Sequence, residues 1–573
     1  MIGTRPMPGS TSGVAPTLIL HGGRIHTGDA TAGTVQAVAI RGHEVLEVGT
    51  DAQVLRNAGP GTQRVDLAGR TAIPGMTDGH AHLDREGLRH QLPSLAKASS
   101  VEDVLDVIAD EVRRHPPGSW IVTQPLGQPP EYHPGPGGLA GGRIPNRHDL
   151  DRVSPQHPVY IRPIWGYWRN ATPLVSVANS LALARAGIGP HTRSPSPDVV
   201  IEADAQGAPT GVFYEHTLVP LVEHTLMRAA PGFTAAQREA GLRHAMGQYN
   251  RVGTTAVFEG HGVASEVVQA YKAVHAAGDC SVRAVLTFSP NWQLRGQGDA
   301  AQLLSDWGAW LGGRGMGDAW LRMQGLYAEL DAEPGNNRLR AANHPCTGWA
   351  GFQAGCALPQ DALEVLVVEA ARAGIRLAGI WPNLLPLFER ANRAHPIAPL
   401  RWVWGHQSVL TREQITRIKD LGLVITTHTN RHIYKDGDRL MQRQPPGGDE
   451  IVPLRRLREE GIEVAFGSDN LPPSLFGPIW HATARQSRSG QAVGPDQAIT
   501  REQALHIATR GGAYLCFDEH QRGTLAPGML ADVAVLNADP LSCQDEVLPH
   551  IHADMTVVHG RVIDLPDLPS RSP

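Results

Sequence analysis

The chain has 573 residues, more than one hydrophobic core usually organises, so a large domain with smaller ones attached is expected. Its 51 Lys+Arg against 56 Asp+Glu give a net charge of −5 with no long run of one sign, which argues against a nucleic-acid or anionic-membrane partner and for a small-molecule substrate. The five cysteines form no C-x-x-C pair and no run of about 18 apolar residues occurs, so neither a disulfide framework, a zinc ribbon nor a membrane span is indicated, and a reducing cytoplasm fits best.

In chain order, residues 1–16 lack the apolar core of a secretory signal and read as a disordered leader. Residues 17–72 ("LILHGGRIHTGD", "VQAVAIRGHEVLEVG") alternate apolar and polar between Gly and Asp turns, as half-buried antiparallel strands do. Residues 521–565 have the same texture, and "HGRVI" there echoes "HGGRI" near the start. One small β-sandwich assembled from both termini is expected.

"TAIPGMTDGHAHL" then reads as a first barrel strand. Residues 85–233 form a long insertion, rich in Pro and Gly, with the aromatic cluster "RPIWGYWRN"; it is either a lid over a barrel mouth or a side domain on its own core. From about 234 onward a unit recurs: amphipathic helix, glycine stop, short apolar strand. "QYNRVG-TTAVFEG", "ARAG-IRLAGIW" and "KDLG-LVITTHT" are examples, and Thr234…Gln237, Thr411…Gln414 and Thr500…Gln503 have capping-box form. Eight strands can be counted. A (β/α)₈ TIM-like barrel over 73–84 and 234–520 follows, and it is preferred to a doubly wound sheet because no G-x-G-x-x-G follows a strand.

With 27 histidines, roughly 1.3 His-x-His triplets arise by chance, so the two present must be judged by context. On a strand end, His80 and His82 would point to one side and could converge on one metal ion. His550 and His552, in the β-domain, have no matching partners nearby and read as structural. Asp469 in "VAFGSDN" and His406 in "RWVWGHQ" end later strands and would face the same barrel mouth.

The series "IPGMTDGHAHL", "VANSLALARAGI", "WVWGHQSVL", "VAFGSDN", "REQALHIATRGGAYLC" and "GTLAPGMLADVAVLNADPL" resembles the metal-dependent amidohydrolase superfamily, in its amidohydrolase family 3 branch. The resemblance implies a divalent metal, with Zn foremost and Mn, Fe or Co as alternatives. His80, His82 and Asp469 would be its ligands, and Asp469 would also be the general base toward an attacking water. His406 would either bind a second metal or polarise the substrate carbonyl.

Two of the branch's usual ligands are missing. Tyr327 in "QGLYAELDA" stands where a fourth-strand lysine is usual, and "IRLAGIWPNLL" has Ile380 and Trp381 where the fifth strand usually ends in histidine. Three residues could compensate: Glu259, at the end of the second strand, by supplying an anionic ligand or hydrogen-bonding a substrate amine, Glu329, two beyond Tyr327 on the same strand face, and His428, at the end of the seventh strand. A polar group that supports the ligands or contacts the insertion is the other reading for each, and Tyr327, Glu329, Trp381, His428 and Trp165 are expected as substrate contacts. His261 reads as a loop residue.

The expectation is therefore one metal, three protein ligands plus water, hydrolysing a C–N bond of an amide, cyclic amide or N-acyl compound. A carbon–carbon lyase, decarboxylase or isomerase on the same scaffold is the alternative, and a non-catalytic binding protein is a third reading. A homodimer is the base-rate expectation for assembly.

Overall fold

The computed structural model describes residues 15–128, 132, 139–164, 173–292, 300–342, 348–349, 351–443 and 448–565. Its centre is a parallel barrel. Taken in chain order the barrel strands are Met76–Asp78, Thr254–Val263, Arg283–Phe288, Leu321–Tyr327, Leu377–Gly379, Val403–Gly405, Val424–Thr427 and Val464–Phe466, each paired in parallel with the next. All eight coincide with segments read as strands from the sequence.

The repeat unit has the local chemistry expected of it. Thr234, Thr411 and Thr500 each accept from the backbone of the glutamine three residues on, whose side chain bonds back. At the other end of the helix Arg412–Leu421, Gly422 turns left-handed at φ 63° and its N–H returns to the Ile418 carbonyl, a turn that a β-carbon would disfavour.

The ring closes just beyond the regular strands. Gly79 N–H donates to the Phe466 carbonyl at 2.7 Å, and Asp469 N–H to that of His80 at 3.0 Å, joining first strand to eighth.

Two further sheets form the β-sandwich. One has strands Glu44–Gly49, Ala37–Arg41, Leu18–His21 and Gln63–Asp66; the other runs Arg561–Ile563, Ala553–Val558, Val533–Leu536, Thr71–Pro74, Arg24–His26 and Thr34–Val35. N- and C-terminal strands thus lie side by side around Leu20, Val38, Val533 and Val557. The strand Thr71–Pro74 runs on through Gly75 into the first barrel strand, so sandwich and barrel share one stretch of chain. A buried ion pair, Arg283 to Asp532 at 2.8 Å, fastens them a second time.

Residues of the insertion build a five-stranded sheet, Val199–Ala203, Pro209–Glu215, Leu174–Ala178, Val159–Ile161 and Ile121–Thr123, with apolar clusters of its own. A separate cluster ties Ile164 and Leu174 of the insertion to Trp349, Phe352 and Leu471, residues that follow barrel strands.

Candidate metal centre

The "TDGHAH" turn departs from a regular strand. The first strand stops at Asp78; Gly79 N–H turns to the eighth strand, whereas Ala81 N–H turns to the second, at the Phe258 carbonyl. In a continuous strand, residues two apart donate to the same neighbour, so the ladder breaks here. The two imidazoles nevertheless meet edge to face at 5.0 Å between ring centres.

Buried groups pin this turn in place. Asp78 Oδ1 accepts from the N–H groups of His80 at 3.1 Å and Ser468 at 3.0 Å, and burial pushes its acid up to about 7. Asn470 holds His82 by the backbone: the His82 N–H donates to Asn470 Oδ1 at 3.1 Å, and Asn470 Nδ2 donates to the His82 carbonyl at 2.7 Å. The Tyr249 hydroxyl donates to the same Oδ1 at 2.6 Å. Asn470 and Tyr249 were not singled out in the sequence; the adjacent "SDN" was the available signal for the first.

His406 enters from the end of the sixth strand, its Nε2 lying 3.3 Å from Nε2 of His80. Asp469, after the eighth, puts Oδ1 3.1 Å from Nε2 of His82. Both residues occupy the left-handed backbone region, His406 at φ 60° and Asp469 at φ 53°, a conformation that costs a side chain energy and gathers at functional sites. His80, His82, His406 and Asp469, scattered through the sequence, are thus neighbours in space.

Two more histidines join them. His428, from the end of the seventh strand, stacks on His406 at 3.8 Å between ring centres and lies 4.6 Å from His80. His261 lies within the second strand, which continues to Val263, and its ring is 5.9 Å from that of His80 and 5.6 Å from that of His82. The loop reading of His261 is corrected: "EGHG" sets Glu259 and His261 two apart, the strand spacing that carries both toward the mouth, and the flanking glycines concealed it.

Glu259, expected as an anionic ligand, stands behind His82. Its Oε1 accepts from the Leu83 N–H at 2.8 Å and the Tyr271 hydroxyl at 2.6 Å, while Oε2 lies 3.6 Å from His82 Nδ1; burial pushes its acid up to about 8. Tyr327 is buried with its ring 4.8 Å from His261. Burial pushes Glu329 up to about 7, against the opposing pull of the Tyr327 hydroxyl and the Trp381 indole N–H. Those three expected contacts therefore gather on one wall. Trp165 lies outside the described residues. Of the other His-x-His pair, His550 is exposed and His552 sits partly exposed beside Asp554, far in character from the buried cluster.

Burial governs the electrostatics. It lowers His80 to about 4 and holds His82, His261, His406 and His428 well below the ordinary histidine value, so each imidazole is neutral at pH 7. It also raises Asp469, although His80 pulls the other way. Neutral imidazoles with a carboxylate close by are the protonation states in which these side chains bind a metal ion. Within the described residues the donor atoms of His80, His406 and His428, and those of His80, His82 and His261, lie within 4.8 Å of one another, a span that fits one ion. His428 and Nε2 of His82 lack hydrogen-bond partners, which also fits donors made for a cation.

A parallel eight-stranded barrel that gathers imidazoles and a carboxylate at the carboxyl ends of its strands defines a class, the metal-dependent barrel enzymes. The sequence pattern of the amidohydrolase family matches residues 63–564, and the chain belongs to that family. It is 25% identical to the N-substituted formamide deformylase of Arthrobacter pascens, over 95% of this chain and 97% of that protein. To the Arabidopsis thaliana protein LONG AFTER FAR-RED 3 it is 24% identical, over 92% of this chain and 88% of that one. Its fold is shared with a metal-dependent hydrolase of Pyrococcus furiosus, at TM-score 0.66 and 22% identity, over 92% of this chain and all (100%) of the other. Among the described residues no helix is long and apolar enough to cross a membrane.

Proposed function

We propose that this chain hydrolyses a C–N bond of a small non-peptide amide, cyclic amide or N-acyl compound with the help of one divalent metal ion, zinc foremost. The observation that carries the reading is the convergence of His80, His82, His406 and Asp469 at one barrel mouth, delivered from the ends of the first, sixth and eighth strands. When bound, the ion supplies Lewis acidity and lowers the pKa of water from 15.7 toward about 7.

The residues have separate tasks. His80 and His82 hold the ion, and Glu259 orients His82 from behind through Nδ1, as carboxylates commonly do for ligating histidines. Asp469, a ligand by the family pattern, is the general base: its carboxylate, raised by burial, takes the proton of the attacking water and hands it to the departing nitrogen. His406, kept at the same mouth, is a further ligand or steadies the negative charge that develops on the carbonyl oxygen. Tyr327, Glu329 and Trp381 form the wall against which the substrate lies, and His428 is a further substrate contact. The insertion covers the mouth through the contacts of Ile164 and Leu174 with Trp349 and Phe352.

The formamide deformylase likeness supports N-formyl and other N-acyl amines as the first substrates to try. Tyr327 and Trp381, in place of a lysine and a histidine, favour a second reading in which the ion assists carbon–carbon cleavage or isomerisation. A screen of N-acyl amines in water enriched in ¹⁸O separates them. Hydrolysis puts the label into the released carboxylate, whereas turnover without label uptake discards the hydrolase reading. A reducing cytoplasm and a homodimer complete the proposal; Cys280, Cys356, Cys516 and Cys543 are free, as the first requires.

A further inference from the structure

The wall that Tyr327 and Trp381 build in place of a lysine and a histidine contains one acid, Glu329. The chain stays extended past the fourth strand, where Glu329 and Leu330 pair in parallel with Ala357 and Leu358, so Glu329 and Tyr327, two apart, turn to the same side. The Tyr327 hydroxyl and the Trp381 indole N–H stand near enough to steady the carboxylate, yet Glu329 Oε2, the hydroxyl and the indole N–H are all buried without a hydrogen-bond partner. Among the described residues no basic side chain pairs with Glu329, and the charge that acts on it is that of Asp331, of its own sign. A buried carboxylate without a counter-ion is costly, because its lost hydration is not made good. Such a group persists in a folded chain where a bound molecule completes it.

The surroundings select the molecule. Aromatic rings flank the acid: Tyr327 and Trp381 themselves, then His261 at 4.8 Å from the Tyr327 ring and Phe352 at 5.1 Å from that of His261. Rings beside a carboxylate attract an organic cation. Asn291, just past the third strand, adds an amide whose Oδ1 and Nδ2 are also buried without partners; it lies against Gly355, two residues before the Ala357 that pairs with Glu329. One carboxylate with a phenol and an indole is a poor donor set for a metal ion, whereas an ammonium needs only acceptors and ring faces. His261 links this wall to the metal centre, its ring 5.6 Å from that of His82, so a short methylene chain spans the two.

We infer that Glu329, with Tyr327 and Trp381, binds a protonated amine of the substrate, and that the substrate class is the mono-N-acyl diamines, with the acyl group at the metal centre and the free ammonium at this wall. The inference rests on the hydrolytic reading above and names its substrate. Glu329 is thereby a specificity residue: an anionic tail is repelled, and a neutral one leaves the buried charge uncompensated.

The test uses full-length, zinc-loaded protein at pH 8, where the amine carries its proton and Glu329 its charge. Mono-N-formyl diamines with two to five methylenes are compared with N-formylalkylamines that carry methyl in place of the ammonium, and with N-formylamino acids that carry carboxylate there. At the best chain length the wild type is expected to prefer the ammonium to the methyl compound at least about tenfold in kcat/KM and to turn over the carboxylate compound least. Within Glu329→Gln, a change that keeps the shape, the same ratio is expected to fall to about threefold or less. No preference in the wild type, or one that survives in Glu329→Gln, overturns the inference. Should that variant not fold by circular dichroism, the wild-type ratios decide. Calorimetric titration with n-butylammonium tells the two failures apart. If no N-formyl compound turns over but butylammonium binds the wild type at least about tenfold more tightly than Glu329→Gln, the hydrolytic reading fails and the cation subsite stands. If the methyl compounds turn over and butylammonium binds both proteins alike, the subsite alone fails.

Discussion

The Nε2 atoms of His80 and His406 lie 3.3 Å apart across the barrel mouth although 326 positions separate them in the sequence. Without an ion, two neutral imidazoles at this distance share at most one proton. An ion held by both would take the place of that proton between the two Nε2 atoms, with each ring keeping its N–H on Nδ1, and would tie the first strand to the sixth.

Removal of the metal should accordingly loosen the barrel as well as stop the reaction. Chelator-stripped protein is expected to melt at a lower temperature than zinc-loaded protein and to recover on adding the ion, while His80→Ala shows no response to zinc. Equal melting of stripped and loaded wild type would contradict this.

Asp469→Asn keeps the shape of the side chain and removes its basicity. It is expected to lower kcat by about 10²- to 10⁴-fold with a much smaller change in KM. Steady-state kinetics on the best N-acyl substrate provides the check, and a variant that loses only KM would assign Asp469 to binding.

Asn470 clamps both backbone groups of His82 and receives the Tyr249 hydroxyl. Asn470→Ala strands three buried partners, so a stability loss of about 1–3 kcal/mol is expected. Displacement of His82 should also weaken metal affinity by about 10- to 100-fold. Tyr249→Phe removes one of these bonds, and its effect should be the smaller. Denaturant melts and competition with a chromogenic chelator measure the two.

Gly467→Ala should act on the centre by crowding alone. The added methyl group meets His80 and His428 at distances that side chains do not tolerate, and overpacking of this kind costs about 1–3 kcal/mol. Metal content per chain, measured on folded material, is expected to fall. Full occupancy would show that the mouth absorbs the added methyl group without displacing His80 from the ion.

At the opposite end of the barrel Asp518 meets Arg314 at 2.6 Å, Arg322 at 3.1 Å and Arg522 at 3.1 Å. Burial alone would raise its acid, but Arg522 and Arg322 more than offset this and hold it well below the ordinary value of 3.8. A carboxyl depressed in the folded state binds fewer protons there than in the unfolded chain. Its stabilisation is therefore complete above about pH 4 and is lost as the pH falls below that. The melting temperature of the wild type should exceed that of Asp518→Asn at pH 6, and the gap should narrow on acidification below pH 4. A gap independent of pH would show that the aspartate acts by packing.

By itself the sequence determined the repeat and its count. Capping boxes at Thr234, Thr411 and Thr500, a glycine stop such as Gly422 and the apolar runs between them are local features, and local torsional and hydrogen-bonding preferences suffice to read them. His80, His82, His406 and Asp469 were legible too, because each follows an apolar run at a predictable strand end. Tertiary structure alone decided the rest. His261 is a strand residue only because neighbouring strands extend past two glycines that locally suggest a turn. Glu259 stands behind His82 because the Tyr271 hydroxyl and the Leu83 N–H claim its carboxylate. His428 meets His80 only where the barrel closes, over a glycine whose missing side chain means nothing until two distant strands lie against it. Contacts of this kind depend on ring closure, which sets the distance between residues hundreds of positions apart, and no local preference encodes that distance.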